Sequence, residues 1–491
     1  MREEIDLIHS DLSFLENLAN YTFESKMLFC QVYASRIMTL SEVSAELMLS
    51  ANIMPWELEA FAAFSVIYDS PEATDQMNDE EFCNMITLLR NYWHPELTIA
   101  EENGTYADYF MMISNLQQFP VQGTFLQKLF RYNFFFNFKN DKLDMKATFE
   151  EKFKNEFRKF ELFAFIIFTT CSLEGQKRLH RELCQMALNK AFSIGTVRQQ
   201  LSIDKEEYKR LLNGQYNGKI IDYYYGLKIQ YLYPIIEDVN CSYIPSPYLV
   251  ANAVTTSMLN RLTLGKNDFR RRFGKEVIEE YLFSIYREVN TVTWISREFE
   301  YYVGKDRRLT PDVLVEEMGN AVLFDTKALS PSLKMRQFDK EEIEKETNTY
   351  AADILQLYCR ILDLSNGHFS LQSEFERNNI FGVVVVLEDA AVPKDKVYDR
   401  VFEMLRETGM DANPESCDYI HSHIKVISLY QIEQTVLIGH SYMECLLNQV
   451  VERSKWDNYS FFIPQKNFSC IPSYEDYCNE LKKDASLFLV E

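Results

Sequence analysis

Glycine and proline are scarce in this sequence, at 15 and 13 of 491 residues. That excludes collagen-like repeats, low-complexity tracts and long flexible linkers. No run reaches the roughly 18 apolar residues that a membrane span needs. The longest, Leu162-Phe-Ala-Phe-Ile-Ile-Phe and Phe381-Gly-Val-Val-Val-Val-Leu, read as a buried helix and a buried strand. The ten cysteines are scattered, with no C-x-x-C pair, which predicts reduced thiols in a cytoplasmic protein. The opening Met1-Arg-Glu-Glu-Ile is charged and predicts no secretory leader. G-x-x-x-x-G-K-[ST], G-x-S-x-G and H-E-x-x-H are all missing, so P-loop ATP binding, the nucleophile elbow and the zincin helix have no support.

Positive charge is also short. Against 73 acidic side chains stand 51 basic ones, a net charge of -22. A protein living by indiscriminate phosphate contacts is usually basic. The deficit is uneven, however. Residues 1–150 carry 9 basic and 23 acidic side chains, whereas residues 250–346 are near balance.

What is present is ample core material, 47% hydrophobic, in a chain long enough for two or three domains. The first 230 or so residues read as helical. Apolar residues recur every three or four positions through Leu7–Leu18, Met27–Met38, Ser41–Leu49, Glu57–Val66 and Glu80–Asn91. Pro55 suits the first turn of its helix. The tract Tyr132–Phe138 is dense in aromatics, which suits core packing more than base stacking. The helices expected at Gln176–Asn189, Ser193–Leu201 and Ser202–Leu212, with Asp204 as an N-cap, are similar in order to a winged-helix unit; a plain helical packing unit is the alternative.

The two prolines of Ser242–Leu249 mark the best boundary candidate. Beyond it helices are expected at Val250–Leu262 and Asp268–Glu288, strands at Thr291–Tyr301, Pro311–Glu316 and Ala321–Lys327, and a helix at Tyr350–Leu364. A strand at Ile380–Glu388, a helix at Lys394–Glu407, a strand at His423–Leu429 and a helix at Gln431–Val451 complete an α/β pattern. The expected division is 1–172, helical; 173–245, helical and winged-helix-like; 246–452, the α/β domain; and 453–491, a C-terminal extension. The fold class is α+β multidomain, with an all-α N-terminal half and a mixed sheet in the second.

The centre of the α/β region reads Leu309-Thr-Pro-Asp-Val-Leu-Val-Glu-Glu-Met-Gly-Asn-Ala-Val-Leu-Phe-Asp-Thr-Lys-Ala328. Two short apolar strands flank a turn at Met318-Gly-Asn320, which makes a hairpin. Asp312 opens the first strand and Asp325 ends the second, so an antiparallel pairing brings both carboxylates to one end. Two converging carboxylates are costly unless a positive charge lies between them, and Mg²⁺ is the natural candidate, with Mn²⁺ as a substitute. Lys327 shares a face with Asp325 and suits holding the attacking water. Thr326 points away but offers its backbone carbonyl to the metal.

These residues, Pro311-Asp312, a spacer of twelve, then Asp325-Thr326-Lys327, resemble the PD-(D/E)XK nuclease superfamily over roughly residues 265–430. The resemblance implies an α-β-β-β-α-β restriction-endonuclease-like core, a Mg²⁺-dependent endodeoxyribonuclease activity, and an active-site Glu on the first helix. In Phe273-Gly-Lys-Glu-Val-Ile-Glu-Glu-Tyr281, Glu276 and Glu279 share a face, and the pattern favours Glu279. Some members carry a Gln on the helix after the motif strand, which Gln356 would match. The implied metal ligands are Asp312, Asp325, Thr326 and Glu279. DNA is the implied substrate, with RNA open, and bacterial anti-phage defence the implied setting. A catalytically silent scaffold of the same fold is the alternative.

Arg270, Arg271, Arg307 and Arg308 are candidates for phosphate contacts near the motif. Cys417-x-x-x-His421-x-His423 has zinc-ligand types without a fourth partner; His421 and His423 also read as opening the last strand, where alternate residues share a face, and no metal is expected there. The acidic helical half would serve a protein partner or a homo-oligomer, with no membrane involved.

Overall fold

The structure, a computed structural model, describes residues 17–92, 123–215, 229–239, 241–331, 340–390, 392–441, 443 and 470–490. Most of the expected Leu7–Leu18 helix and the latter part of Gln431–Val451 lie outside the described residues. The fold is α+β, and its described residues fall into two compact units. One is drawn from Met1–Phe136, Lys146–Leu264 and Leu481–Glu491, the other from Asn137–Met145 and Gly265–Glu480. No helix among the described residues is long and apolar enough to cross a membrane.

The first unit is mostly helical. Its central helix, Phe157–Gly175, packs against Phe23–Arg36, Arg181–Phe192 and Leu249–Val254. The aromatic tract is core: Tyr132, Phe135 and Phe136 are buried, and the Phe136 ring lies 4.6 Å from Phe149 and 4.9 Å from Phe157. A Cβ on Gly175 would stand 2.0 Å from the backbone carbonyl oxygen of Ser35. Gly175→Ala is therefore expected to cost about 3 kcal/mol of stability, read as a lowered midpoint in urea unfolding.

The three helices expected between 173 and 245 run as Arg181–Phe192, Gly195–Leu201 and Lys205–Gln215. Asp204 caps the last by accepting the amides of Glu206 (2.9 Å) and Glu207 (3.3 Å). A small sheet joins them: β1 (Ser202–Asp204) runs parallel to β2 (Ile235–Asp238), which pairs antiparallel with β3 (Cys241–Tyr243). Lys205 is spent on Asp69 and Asp238, at 3.0 and 3.2 Å.

The chain does not divide at Ser242–Leu249. Tyr243 to Leu249 are buried, and Tyr248 donates its hydroxyl to Glu59 (3.1 Å) and to the Pro55 carbonyl (3.0 Å). Its prolines shape a turn inside the core rather than a linker. The units separate instead between Leu264 and Gly265, so the helices of 250–263 belong to the first unit. The C-terminal stretch 472–490 is helical.

The second unit is built on a five-stranded sheet of order β10-β9-β8-β7-β4. β4 (Val292–Arg297), β7 (Val313–Glu317) and β8 (Asn320–Lys327) are antiparallel neighbours; β9 (Ile380–Val386) and β10 (Ile424–Ser428) continue parallel to β8. All seven residues of β9 are buried, as a near-continuous valine run in a central parallel strand requires. The β7–β8 turn places Met318 and Gly319 at φ 50° and 74°, the two positive values of a type I′ turn. The stretch 291–301 is not one strand. It breaks at Glu298-Phe299, and β5 (Glu300–Val303) pairs with β6 (Asp306–Leu309) as a two-stranded arm.

Helices cover both faces of the sheet. Tyr286, from the helix Glu279–Tyr286, packs on Phe324 with ring centres 4.9 Å apart. On the other face the helix Lys340–Ser365 approaches β9 so closely that a Cβ on Gly382 would meet Leu357 at 2.9 Å. Leu323 pairs with Gly382, so β8 presents Leu323, Asp325 and Lys327 to this second helix.

His421 and His423 do not open the last strand. They close the helix Pro414–His423, and β10 begins at Ile424. His423 stacks on Tyr419 (4.3 Å) and Phe381 (4.9 Å), while the Cys417 thiol faces the Ala412 carbonyl. The three side chains have separate partners.

Candidate active site

The hairpin carries its polar residues to one end of the sheet because its apolar strand residues fix the register: Val313 lies opposite Phe324, and Leu314 opposite Leu323. Asp312 therefore stands beside the end of β8. Thr326 donates both its amide (2.6 Å) and its hydroxyl (2.9 Å) to Asp312 Oδ2. Its side chain thus does more than point away: it holds Asp312. An extended residue sends its N–H and C=O to the same side, which leaves the Thr326 carbonyl on the Asp312 side as well.

Asp325 is 8% exposed. Its Oδ2 is paired with the Lys327 ammonium at 2.8 Å. Lys327 also stands 3.5 Å from Oδ1 of Asp353, on the helix Lys340–Ser365, and Asp353 Oδ2 is buried without a hydrogen-bond partner. Burial alone would lower the Lys327 pKa; the carboxylates of Asp325, Asp353 and Asp312 outweigh it and keep the ammonium firmly charged.

Glu279 enters from the opposite face. The helical stretch Asn267–Tyr286 contains one π-turn, Gly274–Ile278, directly before Glu279. Such turns recur at functional sites because they re-aim one side chain. Gly274 lets this turn approach the end of β8, since a Cβ there would sit 3.0 Å from the Ala328 Cβ. Glu276 is engaged elsewhere, with Asn140 (2.8 Å) and Lys142 (3.0 Å). Burial, then the charges of Asp312, Glu298 and Asp325, push Glu279 up to about 9 against the pull of Lys275. Burial and the neighbouring Asp325 push Asp312 to about 7, despite the two bonds from Thr326. Asp353 rises to about 6, through burial and Asp325, with Lys327 opposing.

Three carboxylates thus press on the Lys327 ammonium, Glu279 faces two of them from the other side, and three of these four acids resist ionisation. This is a site short of positive charge. The all-oxygen donor set, the buried Asp353 Oδ2 without a hydrogen-bond partner and the raised acids fit a hard divalent cation. Among the described residues no three acidic, imidazole or thiol side chains are already gathered as a metal cage. Mg²⁺ commonly takes one or two carboxylates and keeps its waters.

Asp312 and Asp325 open onto a cleft of ≈ 580 Å³, lined also by Lys327 and Gln356 and by Glu298 and the arginines of the β5–β6 arm among others; Glu279 and Asp353 do not line it. Gln356 therefore shares the cleft with the motif, one helical turn after Asp353. Glu298 sits at the rim, salt-bridged to Lys275 at 2.6 Å, and its amide donates to the Asp312 carbonyl at 3.0 Å.

The four candidate arginines separate. Arg307 and Arg308 line the cleft. Arg270 instead ties the end of β8, donating to the Ala328 carbonyl (3.1 Å) and to the Ser330 hydroxyl, and Arg271 pairs with Asp268 on the surface. Sequence reasoning missed Asp353, Glu298 and Arg360. The available signal for the first was its i, i+3 spacing from Gln356 on the helix after the motif strand. Comparison with protein-family models, with characterised proteins and with solved structures gives no match for this chain.

Proposed function

We propose that the second unit hydrolyses phosphodiester bonds of polynucleotides, DNA first among them, in a metal-dependent reaction of the PD-(D/E)XK type. The observation that carries this reading is the convergence of Asp312, Asp325 and Lys327 at the end of one hairpin with Glu279 facing them from the preceding helix. The strand order supports it too: three antiparallel strands, a helix, then a parallel strand is the sequence of elements that a restriction-endonuclease-like core requires.

Asp312 and Asp325 would hold a divalent cation, Mg²⁺ or Mn²⁺, with Glu279 and the Thr326 carbonyl completing the donor set. Such a cation, when bound, lowers the pKa of a water and offsets charge on the phosphate. Thr326 fixes the Asp312 carboxylate through two donated bonds, so the ligand's orientation is set before substrate arrives. Lys327 places a fixed positive charge beside the acids, where it orients the attacking water and stabilises charge developing on the phosphoryl oxygens. Asp353 positions Lys327 from the helix side. Gln356 offers an amide to the substrate in the same cleft. The excess of acids at 1–150 works against free binding to nucleic acid, which favours a recruited or restrained enzyme, and bacterial anti-phage defence is one setting that suits it.

The test uses the purified full chain with plasmid, linear DNA and transfer RNA, each with and without Mg²⁺. Cleavage that needs the metal is expected for at least one substrate. No cleavage with Mg²⁺ or Mn²⁺, together with no metal-induced thermal shift, would replace this reading by a silent scaffold of the same architecture.

A further inference from the structure

The cleft beside the acids also has a basic wall. Arg308, from β6, and Arg360, from the helix Lys340–Ser365, both line it. One carboxylate gathers them. Asp363 is 6% exposed, and it accepts from Arg308 Nη1 at 2.7 and 3.0 Å and from the Tyr301 hydroxyl at 2.5 Å. Arg360 Nη1 donates to that same hydroxyl at 3.0 Å and stands 3.7 Å from Asp363. Two guanidiniums against one carboxylate leave a positive charge over. Each guanidinium carries five N–H donors in a rigid fork, and only Nη1 of each is engaged among the described residues. The side chains keep 34% and 20% exposure. The buried Asp363 therefore holds two half-satisfied forks in fixed positions on the cleft wall. Arg307, in the same arm, differs in that Glu300 neutralises it.

We propose that Arg308 and Arg360 form a phosphate subsite. It holds a backbone phosphodiester neighbouring the one presented to the acids, and so sets the register of the strand in the cleft. This rests on the nucleic-acid reading given above. Fork-shaped donors suit bidentate contacts with phosphate oxygens, and backbone contacts of this kind position a strand without reading its sequence.

The test is fluorescence anisotropy of short labelled DNA and RNA oligonucleotides, with Ca²⁺ in place of Mg²⁺, over a range of salt. Arg308→Gln and Arg360→Gln are each expected to weaken binding about tenfold and to lower the slope of log affinity against log salt by about one. Arg297→Gln is the control, because its guanidinium is committed to Glu280 at 2.8 Å and lies outside the cleft lining; it should change neither quantity. If Arg308→Gln fails to fold, Arg308→Lys keeps the charge and is expected to retain the slope while losing affinity. Unchanged affinity in both glutamine variants overturns the subsite. So does weaker binding at an unchanged slope, which would make the arginines anchors of the β5–β6 arm and nothing more. Wild type that binds with these slopes but never cleaves leaves the subsite standing and removes the hydrolytic reading. Wild type that cleaves, with both variants binding as it does, removes the subsite alone.

Discussion

Asp312→Ala and Lys327→Ala are each expected to slow metal-dependent cleavage about a thousandfold, by different routes. Asp312 accepts both donors of Thr326 at the end of the hairpin, so its loss removes a proposed ligand and frees the groups that held it. Divalent-cation affinity should fall together with the rate. Lys327 is held by Asp325 and Asp353, and it contributes charge and a donor rather than a ligand. Lys327→Ala should therefore lose the rate while keeping the metal-induced rise in melting temperature, and removing the ammonium from beside Asp312, Asp325 and Asp353 should tighten cation binding. The double variant should be little worse than the poorer single one, because residues acting on one step are not additive. Single-turnover cleavage beside calorimetric metal titration separates the two routes. Matching losses in both assays for Lys327→Ala would contradict its assignment.

The second large effect concerns stability without metal. Glu279, Asp312 and Asp353 titrate in the folded protein at about 9, about 7 and about 6, whereas in the unfolded chain such groups titrate near 4. Between those values the native state binds more protons than the unfolded state, so stability falls as pH rises. The contribution of these acids is complete below about pH 4 and is lost progressively up to about pH 9. In EDTA the melting temperature should decline from pH 5 to pH 9, by roughly 4–8 °C for a net penalty of about 2 kcal/mol. Saturating Mg²⁺ should reverse most of the decline, because ligand binding to the native state adds stability. Asp312→Asn should flatten the pH dependence in EDTA, since its amide cannot ionise and no longer raises Glu279. A melting temperature that climbs over the same range would show that these acids do not share one unneutralised site.

How much of this was readable in the sequence depended on whether the information was local. The β7–β8 hairpin was legible because apolar runs of matching length flank Met318-Gly319, and register follows from them. Asp312, Asp325 and Lys327 came with it. Glu279 was preferred over Glu276 by pattern; the structure adds the π-turn that aims it and the Asn140 and Lys142 contacts that occupy its neighbour. Asp353 was legible only through its spacing from Gln356, because which face of the helix Lys340–Ser365 meets β8 is set by a tertiary approach, the one Gly382 permits. The break of 291–301 into two strands was hidden for a similar reason. Glu298 and Phe299 leave the sheet to bond with Asp312 and Thr310, residues more than ten positions later. The prolines of Ser242–Leu249 misled because proline marks a turn equally well inside a core and between domains. His421 and His423 read as a strand start by alternation, yet Pro414 at the first turn and the Asn413 cap begin a helix that carries through His423.

The carboxylates and the lysine at the end of the hairpin stand or fall with the metal dependence of cleavage. The rate of polynucleotide cleavage against Mg²⁺ concentration, for wild type and Asp325→Asn, measures it most directly. Wild type should be silent in EDTA and rise to saturation with Mg²⁺, and Asp325→Asn should need far more metal and reach a lower plateau. Cleavage undiminished by EDTA, or superimposable curves for the two proteins, would contradict the assignment.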